Sequence, residues 1–167
     1  MTGRSPRVGI GFDVHRFAPQ RRLVLGGVEI AHEMGLQGYS DADVLAHALM
    51  DALLGAAGLP DIGQYFPPGD PAYRDISSMI LLARVRGLVE AAGWRIANVD
   101  VAVQAQSPRL APHIPEMKRR VAHALGLDPS AVGIKASTTE GLGFVGRQEG
   151  IAAYAVALLV PAQDSQE

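Results

Sequence analysis

The 167-residue sequence predicts an α+β fold: a single mixed β-sheet with helices packed on one face. Three observations support this. Segments with strand-like alternation and segments with helical start and stop signals are mixed along the chain. Glycine and proline close the helical segments. Hydrophobic residues make up 48% of the chain, enough for one core at a length that suits a single domain, 1–167.

Residues 7–15 read as a first strand, and 23–25 and 28–30 as a hairpin closed by Gly26-Gly27. Ser40 is the expected N-cap of a first helix running to about Ala57, with Asp43 completing a capping-box-like pair. Gly58 and Pro60 stop it, and residues 61–75, rich in Gly, Pro and Asp, read as a long functional loop. A second helix starts at Ser77 or Ser78 and ends before Gly93. Residues 94–106 alternate as a long strand, and 112–125 form a third helix with Gly126 at its C-cap. Residues 131–137 and 151–160 are the last strands. The final one is almost wholly apolar and is expected to be central or buried on both faces. Residues 1–6 and 162–167 are expected to fray.

Composition excludes several function classes. A net charge of −2 argues against nucleic-acid binding driven by bulk charge. There is no cysteine, so disulfides and thiolate metal sites are excluded. No secretory signal is visible, and residues 151–161 are too few to span a bilayer, so the expected setting is cytoplasmic, with no membrane partner.

Asp13 and His15 stand two apart on the first predicted strand, which puts both side chains on one face. His47 lies inside the first predicted helix. One carboxylate and two imidazoles suit zinc and leave one tetrahedral position open for chemistry. By spacing alone the alternative stays open that these are ordinary core or surface residues. Asp43 and Asp51 each stand four residues from His47 and are candidates to support it; alternatively Asp43 only caps and Asp51 is solvated.

Gly141 to Gly146 fits G-x-G-x-x-G, but too little chain follows for a dinucleotide fold, so these glycines are expected to shape a ligand loop. Ser137, Thr138, Thr139 and Glu140 precede it, with hydroxyls for phosphate oxygens and a carboxylate for a hard metal, or simply a polar turn. Tyr39-Ser40 stands at a helix start, which favours an anion. Arg147 and Glu149 suggest a surface pair, and His32, His113 and His123 belong to no constellation.

Together these segments resemble the 2-C-methyl-D-erythritol 2,4-cyclodiphosphate synthases of the non-mevalonate isoprenoid pathway, from about Val8 to Val160. The resemblance is carried by Gly11-Phe12-Asp13-Val14-His15, Ser40-Asp41-Ala42-Asp43-Val44 with His47-Ala48-Leu49, and Asp51-Ala52-Leu53-Leu54-Gly55-Ala56. It continues in Asp61-Ile62-Gly63, Phe66-Pro67, Asn98-Val99-Asp100, Pro112-His113-Ile114, Lys135 to Glu140, and Gly146-Arg147 with Glu149-Gly150.

The resemblance implies an enzyme that converts 4-diphosphocytidyl-2-C-methyl-D-erythritol 2-phosphate into the cyclic diphosphate and releases CMP, a cyclising phosphorus–oxygen lyase. It places zinc on Asp13, His15 and His47, and Mg²⁺ or Mn²⁺ on Glu140. Thr138 would stabilise the transition state, with Ser137 and Thr139 beside it, and Tyr39 and Ser40 would hold phosphate. Asp13, Val14 and His15, with Asp61, Ile62, Gly63, Phe66 and Asp70, would contact the substrate. Ala105, Gln106, Ser107, Pro108, Arg109, Leu110 and Ala111 would form the cytosine pocket. The family is a homotrimer with active sites between subunits, and its central cavity, lined at positions matching Phe144, Arg147 and Glu149, can take an isoprenoid diphosphate.

Tyr39 stands where the family often has His, Pro68-Gly69-Asp70 where it commonly has Asp-Thr-Asp, and Gln148 where Gly is usual. Nothing resembling a fused cytidylyltransferase is present, which implies the stand-alone form. Two other readings share these residues: a zinc-dependent phosphodiesterase that uses water, and a non-enzymatic trimeric module that binds isoprenoid diphosphates.

Overall fold

The computed structural model describes residues 4–162. Five strands form one mixed sheet: β4 (Gly35–Leu36), β1 (Arg7–Ala18), β7 (Gly150–Pro161), β5 (Trp94–Gln104) and β6 (Val132–Ser137), in that spatial order. Only β5 and β6 run parallel. Parallel neighbours need a crossover, and helix α4 (Ile114–Leu125) makes it. A separate hairpin pairs β2 (Leu23–Leu25) with β3 (Val28–Ile30). Its turn residues Gly26 and Gly27 have φ of 56° and 74°, the left-handed pair that a two-residue hairpin turn requires.

Helix α1 (Val44–Ala57) lies across β1 and β7, α3 (Ser78–Ala91) packs on α1 and β5, and α4 packs on α3 and β6. Eleven of the 14 residues of α1 are buried, so this helix has no broad polar stripe. Its half-buried residues are His47 and Asp51, one turn apart. Among the described residues no helix is long and apolar enough to cross a membrane.

Several expectations change. The N-cap of α1 is Asp43, whose carboxylate accepts the Ala46 N–H, rather than Ser40. The strand from Trp94 stops at Gln104, and residues 111–113 form a 3-10 turn before α4. The loop 61–75 contains helix α2 (Ile62–Tyr65) and a 3-10 turn, and the glycine-rich loop contains α5 (Gly143–Gly146). Fraying at residues 1–3 and 163–167 lies outside the described residues. Within them, Arg4 donates to the Ala92 carbonyl at 3.1 Å, and Ala162 N–H donates to the Gly93 carbonyl at 3.1 Å.

β7 is the middle strand of the sheet, as one of its two expected readings had it, but it is not buried on both faces. Ala153, Ala155 and Ala157 are buried under α1, but Tyr154 and Val156, on the other face, are 43% and 45% exposed. The neighbouring β1 residues Val8, Ile10, Phe12 and Val14 share that open face. The apolar run of β7 therefore serves two faces, only one of which this chain covers by itself.

Candidate metal centre and its cleft

Period two along β1 sends Gly9, Gly11, Asp13 and His15 toward α1. A Cβ at Gly9 would meet the Ala52 carbonyl oxygen at 2.0 Å, and one at Gly11 the Ala48 oxygen at 1.8 Å. The helix therefore rests on bare strand backbone, running opposite to β1. One step beyond Gly11 the glycines give way to Asp13 and His15, and α1 presents His47 there.

His15 Nε2 lies 2.9 Å from Asp13 Oδ2, His47 Nδ1 lies 3.1 Å from the same oxygen, and the two ring nitrogens are 3.1 Å apart. His15 Nδ1 is 2.5 Å from the Gln37 carbonyl oxygen, which can only accept, so the proton of a neutral ring sits on Nδ1. That leaves the His15 Nε2 lone pair beside the Asp13 carboxylate. Lone pairs converging at this distance call for a cation between them. A tetrahedral ion with bonds of about 2.0–2.1 Å sets its donors about 3.3 Å apart, so a slight opening of this triangle would admit one. The donor set fits a divalent cation, and it is the one such group among the described residues.

Burial opposes the charge on Asp13, but hydrogen bonds from His15 and His47 in their protonated forms outweigh it and hold the carboxyl well below its usual range. Burial likewise opposes charging His15, and the Asp13 carboxylate outweighs that, raising its pKa.

The cluster stands at the head of a cleft of about 260 Å³. Tyr39, Ser40, Ile62, Gly63 and Phe66 line it, and Met50, Pro68, Tyr73 and Leu81 complete the wall. Arg21 fixes one rim, donating to the Leu36 and Ser40 carbonyls at 2.9 and 2.8 Å. Asp75 N–H donates to the Tyr39 carbonyl at 2.9 Å, and the Arg74 guanidinium lies 5.9 Å from the Tyr39 ring centre. Asp51 accepts the Ile62 N–H at 3.0 Å and so ties the opposite wall to α1. Asp61 and Asp70 cap the short turns of that wall, accepting from Gln64 and Ala72 N–H, and neither lines the cleft.

Other expected residues lie elsewhere. Val14 is on the opposite sheet face from the cluster, in a groove of about 550 Å³ with Phe12, Phe144 and Glu149. Arg147 pairs at 3.0 Å with Glu149, which lines that groove. Thr138 and Glu140 follow β6, three strands from β1, which is about 14 Å at the usual 4.8 Å strand spacing. The segment 105–111 follows β5, and Gln106 Oε1 accepts the Gly141 N–H at 3.2 Å, so these two loops form their own unit. Within one chain the expected site residues thus fall into two separate groups.

Neither Asp43 nor Asp51 supports His47. The buried Asp43 carboxylate accepts from Gly26 and Gly27 N–H at 3.0 and 2.7 Å as well as from Ala46, clasping the hairpin turn to α1. Burial, with help from the Asp41 charge, pushes its pKa up to about 6. The partners of His47 Nε2 are the hydroxyls of Ser78 at 3.1 Å and Ser40 at 3.2 Å. Sequence marked Ser78 only as a possible helix start, and nothing local announces that α3 brings it to His47.

Fold and donor set together define the class: an α+β protein with a carboxylate–imidazole centre for a divalent cation at the head of a largely apolar cleft. The chain belongs to the YgbB family, whose family model matches residues 6–160. A 2-C-methyl-D-erythritol 2,4-cyclodiphosphate synthase of Syntrophomonas wolfei is 60% identical over 153 residues, 92% of this chain and 98% of that protein. A synthase of the same name from Nostoc sp. is 54% identical over 160 residues, 96% of this chain and 97% of that one. Among solved structures, IspF of Plasmodium falciparum in complex with CDP matches 95% of this chain and 98% of its own, with a TM-score of 0.83 and 32% identity. The bifunctional IspDF of Campylobacter jejuni matches 95% of this chain with a TM-score of 0.90 and 45% identity, and this chain spans 43% of that longer one.

Proposed function

We propose that this chain cyclises 4-diphosphocytidyl-2-C-methyl-D-erythritol 2-phosphate to the 2,4-cyclodiphosphate and releases CMP, in cytoplasmic isoprenoid synthesis. The observation that carries this reading is the convergence of Asp13, His15 and His47 at the head of the cleft. Relatives 60% identical over nearly the whole chain bear the name of that synthase.

In the reaction an oxygen of the substrate's own 2-phosphate bonds to the β-phosphorus. The bond from that phosphorus to the bridging oxygen breaks, and CMP leaves with the oxygen and its electron pair. No water is consumed and no protein nucleophile is needed, so the site's work is positioning and neutralising charge. Zinc on Asp13, His15 and His47 would supply positive charge against the β-phosphate. Ser40 donates its hydroxyl proton to a phosphate oxygen, and Tyr39 does the same from beside it. Ile62, Gly63 and Phe66 pack on the erythritol. Thr138 donates to the diphosphate, and the loop 105–111 receives the cytosine. Glu140 offers a single carboxylate, which suits Mg²⁺ or Mn²⁺ shared with substrate phosphates.

The assembly we propose is a homotrimer. Its support is the open apolar face of Val8, Ile10, Phe12, Val14, Tyr154 and Val156, together with the division of the site into two halves. Packing copies on that face would let the Thr138 loop of one complete the cleft of the next. The groove beside Phe12 and Phe144, with Arg147 paired to its lining residue Glu149, would take an isoprenoid diphosphate.

The decisive test is ³¹P NMR of the products formed by the purified chain with Zn²⁺ and Mg²⁺. A cyclic diphosphate with stoichiometric CMP is expected. Linear hydrolysis products would instead select the phosphodiesterase, and no turnover would leave only a binding module.

A further inference from the structure

We propose that Asp41 and Ser78 are positioning residues that hold the His47 proton on Nε2 and so aim its Nδ1 at the metal position. The inference rests on the metal reading above. It comes from counting protons. Ser78 is fully buried, and its hydroxyl lies 2.5 Å from Asp41 Oδ1. A carboxylate only accepts, so the one Ser78 hydroxyl proton is committed to Asp41. What Ser78 Oγ then presents to His47 Nε2, 3.1 Å away, is a lone pair. Nε2 must therefore be the donor, and in a neutral ring Nδ1 is left bare. That bare nitrogen is the one 3.1 Å from both Asp13 Oδ2 and His15 Nε2.

Ser40 alone could not make this choice. Its Oγ is 3.2 Å from His47 Nε2, but its own proton is free and it can serve as donor or acceptor. With Ser78 taking the Nε2–H, the Ser40 proton remains available to the cleft.

The Asp41 carboxylate is itself held rigidly. Oδ2 accepts the Ser78 N–H at 2.9 Å, and Oδ1 also accepts the Asp43 N–H at 3.2 Å. Asp41 N–H donates to the Ile76 carbonyl at 3.1 Å. The same residue thus seats the start of α3 and, through Ser78, sets the tautomer of a ring on α1. Groups that orient a metal-binding imidazole in this way matter about 10- to 100-fold in metal affinity.

The test is chelator competition for Zn²⁺ with the purified chain, next to long-range ¹H–¹⁵N NMR of the metal-free His47 ring. Ser78→Ala is expected to bind Zn²⁺ about 10- to 100-fold more weakly. Its His47 signals should move from the Nε2–H tautomer toward a mixture. Ser78→Thr keeps the hydroxyl and is expected to restore both readouts. Asp41→Asn turns a donor toward a donor and should weaken binding in the same direction, with circular dichroism melts separating this from lost folding. Parent-like Zn²⁺ affinity in Ser78→Ala, or an unchanged His47 tautomer, would overturn the inference and leave the metal reading standing. A parent chain that binds no Zn²⁺ would overturn both.

Discussion

Replacing Gly11 by alanine tests whether the centre depends on α1 resting on bare backbone. The new Cβ would stand 1.8 Å from the Ala48 carbonyl oxygen and 2.8 Å from the Ala52 nitrogen, where ordinary contact begins at 3.4 Å. Both obstacles are helix backbone, so no rotamer change relieves them. To reach contact, α1 must lift by about 1.6 Å, the shortfall between 1.8 and 3.4 Å. Eleven buried residues of α1 would then lose packing on one side or the other. Overpacking costs about 1–3 kcal/mol, and more where backbone must move, so a loss of about 3 kcal/mol or more is expected. At about 2–4 °C per kcal/mol in a domain of this size, the melting midpoint should fall by about 6–12 °C. His47 rides on the same helix, next to Ala48, so its 3.1 Å approach to Asp13 should open and Zn²⁺ affinity fall with stability. Thermal melts at fixed protein concentration and Zn²⁺ competition check the two effects. Gly55→Ala is the control. A Cβ there meets nothing within 4 Å inside the same helix, and a gain of about 1 kcal/mol is expected. If Gly11→Ala melted like the parent and held Zn²⁺ as tightly, the account of α1 seated on β1 would be wrong.

Three further outcomes follow from the site and the open face. Thr138→Ala should keep the fold and lower turnover about 100-fold, the usual scale for losing one donor to a developing charge; unchanged turnover in a CMP-release assay would remove Thr138 from the chemistry. Ile10, 73% exposed in the isolated chain, lies on the face assigned to subunit packing. Ile10→Asp should therefore run as a monomer in light scattering and lose CMP release, because the two halves of the site no longer meet. A parent chain that is monomeric would refute that assembly. For the metal-free chain, the depressed Asp13 pKa gives stability that is present above its ordinary 3.8 and lost as pH falls through the folded value. The raised His15 pKa gives stability that is present below 6.5 and lost as pH rises through the folded value. Urea midpoints measured in EDTA should thus peak between about pH 4 and 6.5 relative to Asp13→Asn; parallel curves would rule this coupling out.

The fold was legible where a period and a stop signal coincide. β1, the hairpin at Gly26-Gly27, α3 and α4 fall within a few residues of their expected places for that reason. The short turns at 62–65 and 143–146 were missed because four residues are too few to show a helical period. β7 was read as central or buried on both faces: it is the middle strand of the sheet, but apolar content alone cannot tell a strand covered on one face from one covered on both. Its Tyr154–Val156 face is left open because no element of this chain packs on it.

The candidate metal donors were legible because two of them share one strand face, and strand geometry fixes that locally. Their support was not, because helical spacing names neighbours and cannot tell which way a carboxylate is drawn. Asp43 and Asp51 had the right spacing from His47, yet backbone N–H groups claim them: Gly26, Gly27 and Ala46 for one, Ile62 for the other. Those N–H groups would be orphaned without the carboxylates, and that cost outweighs an optional contact to a ring that has other partners. Ser78 reaches His47 from 31 residues away because Asp41 draws the start of α3 onto the loop before α1. The identity of a residue that orients a ligand is thus decided by which backbone donors are already satisfied, a property of the whole fold that no window of sequence contains.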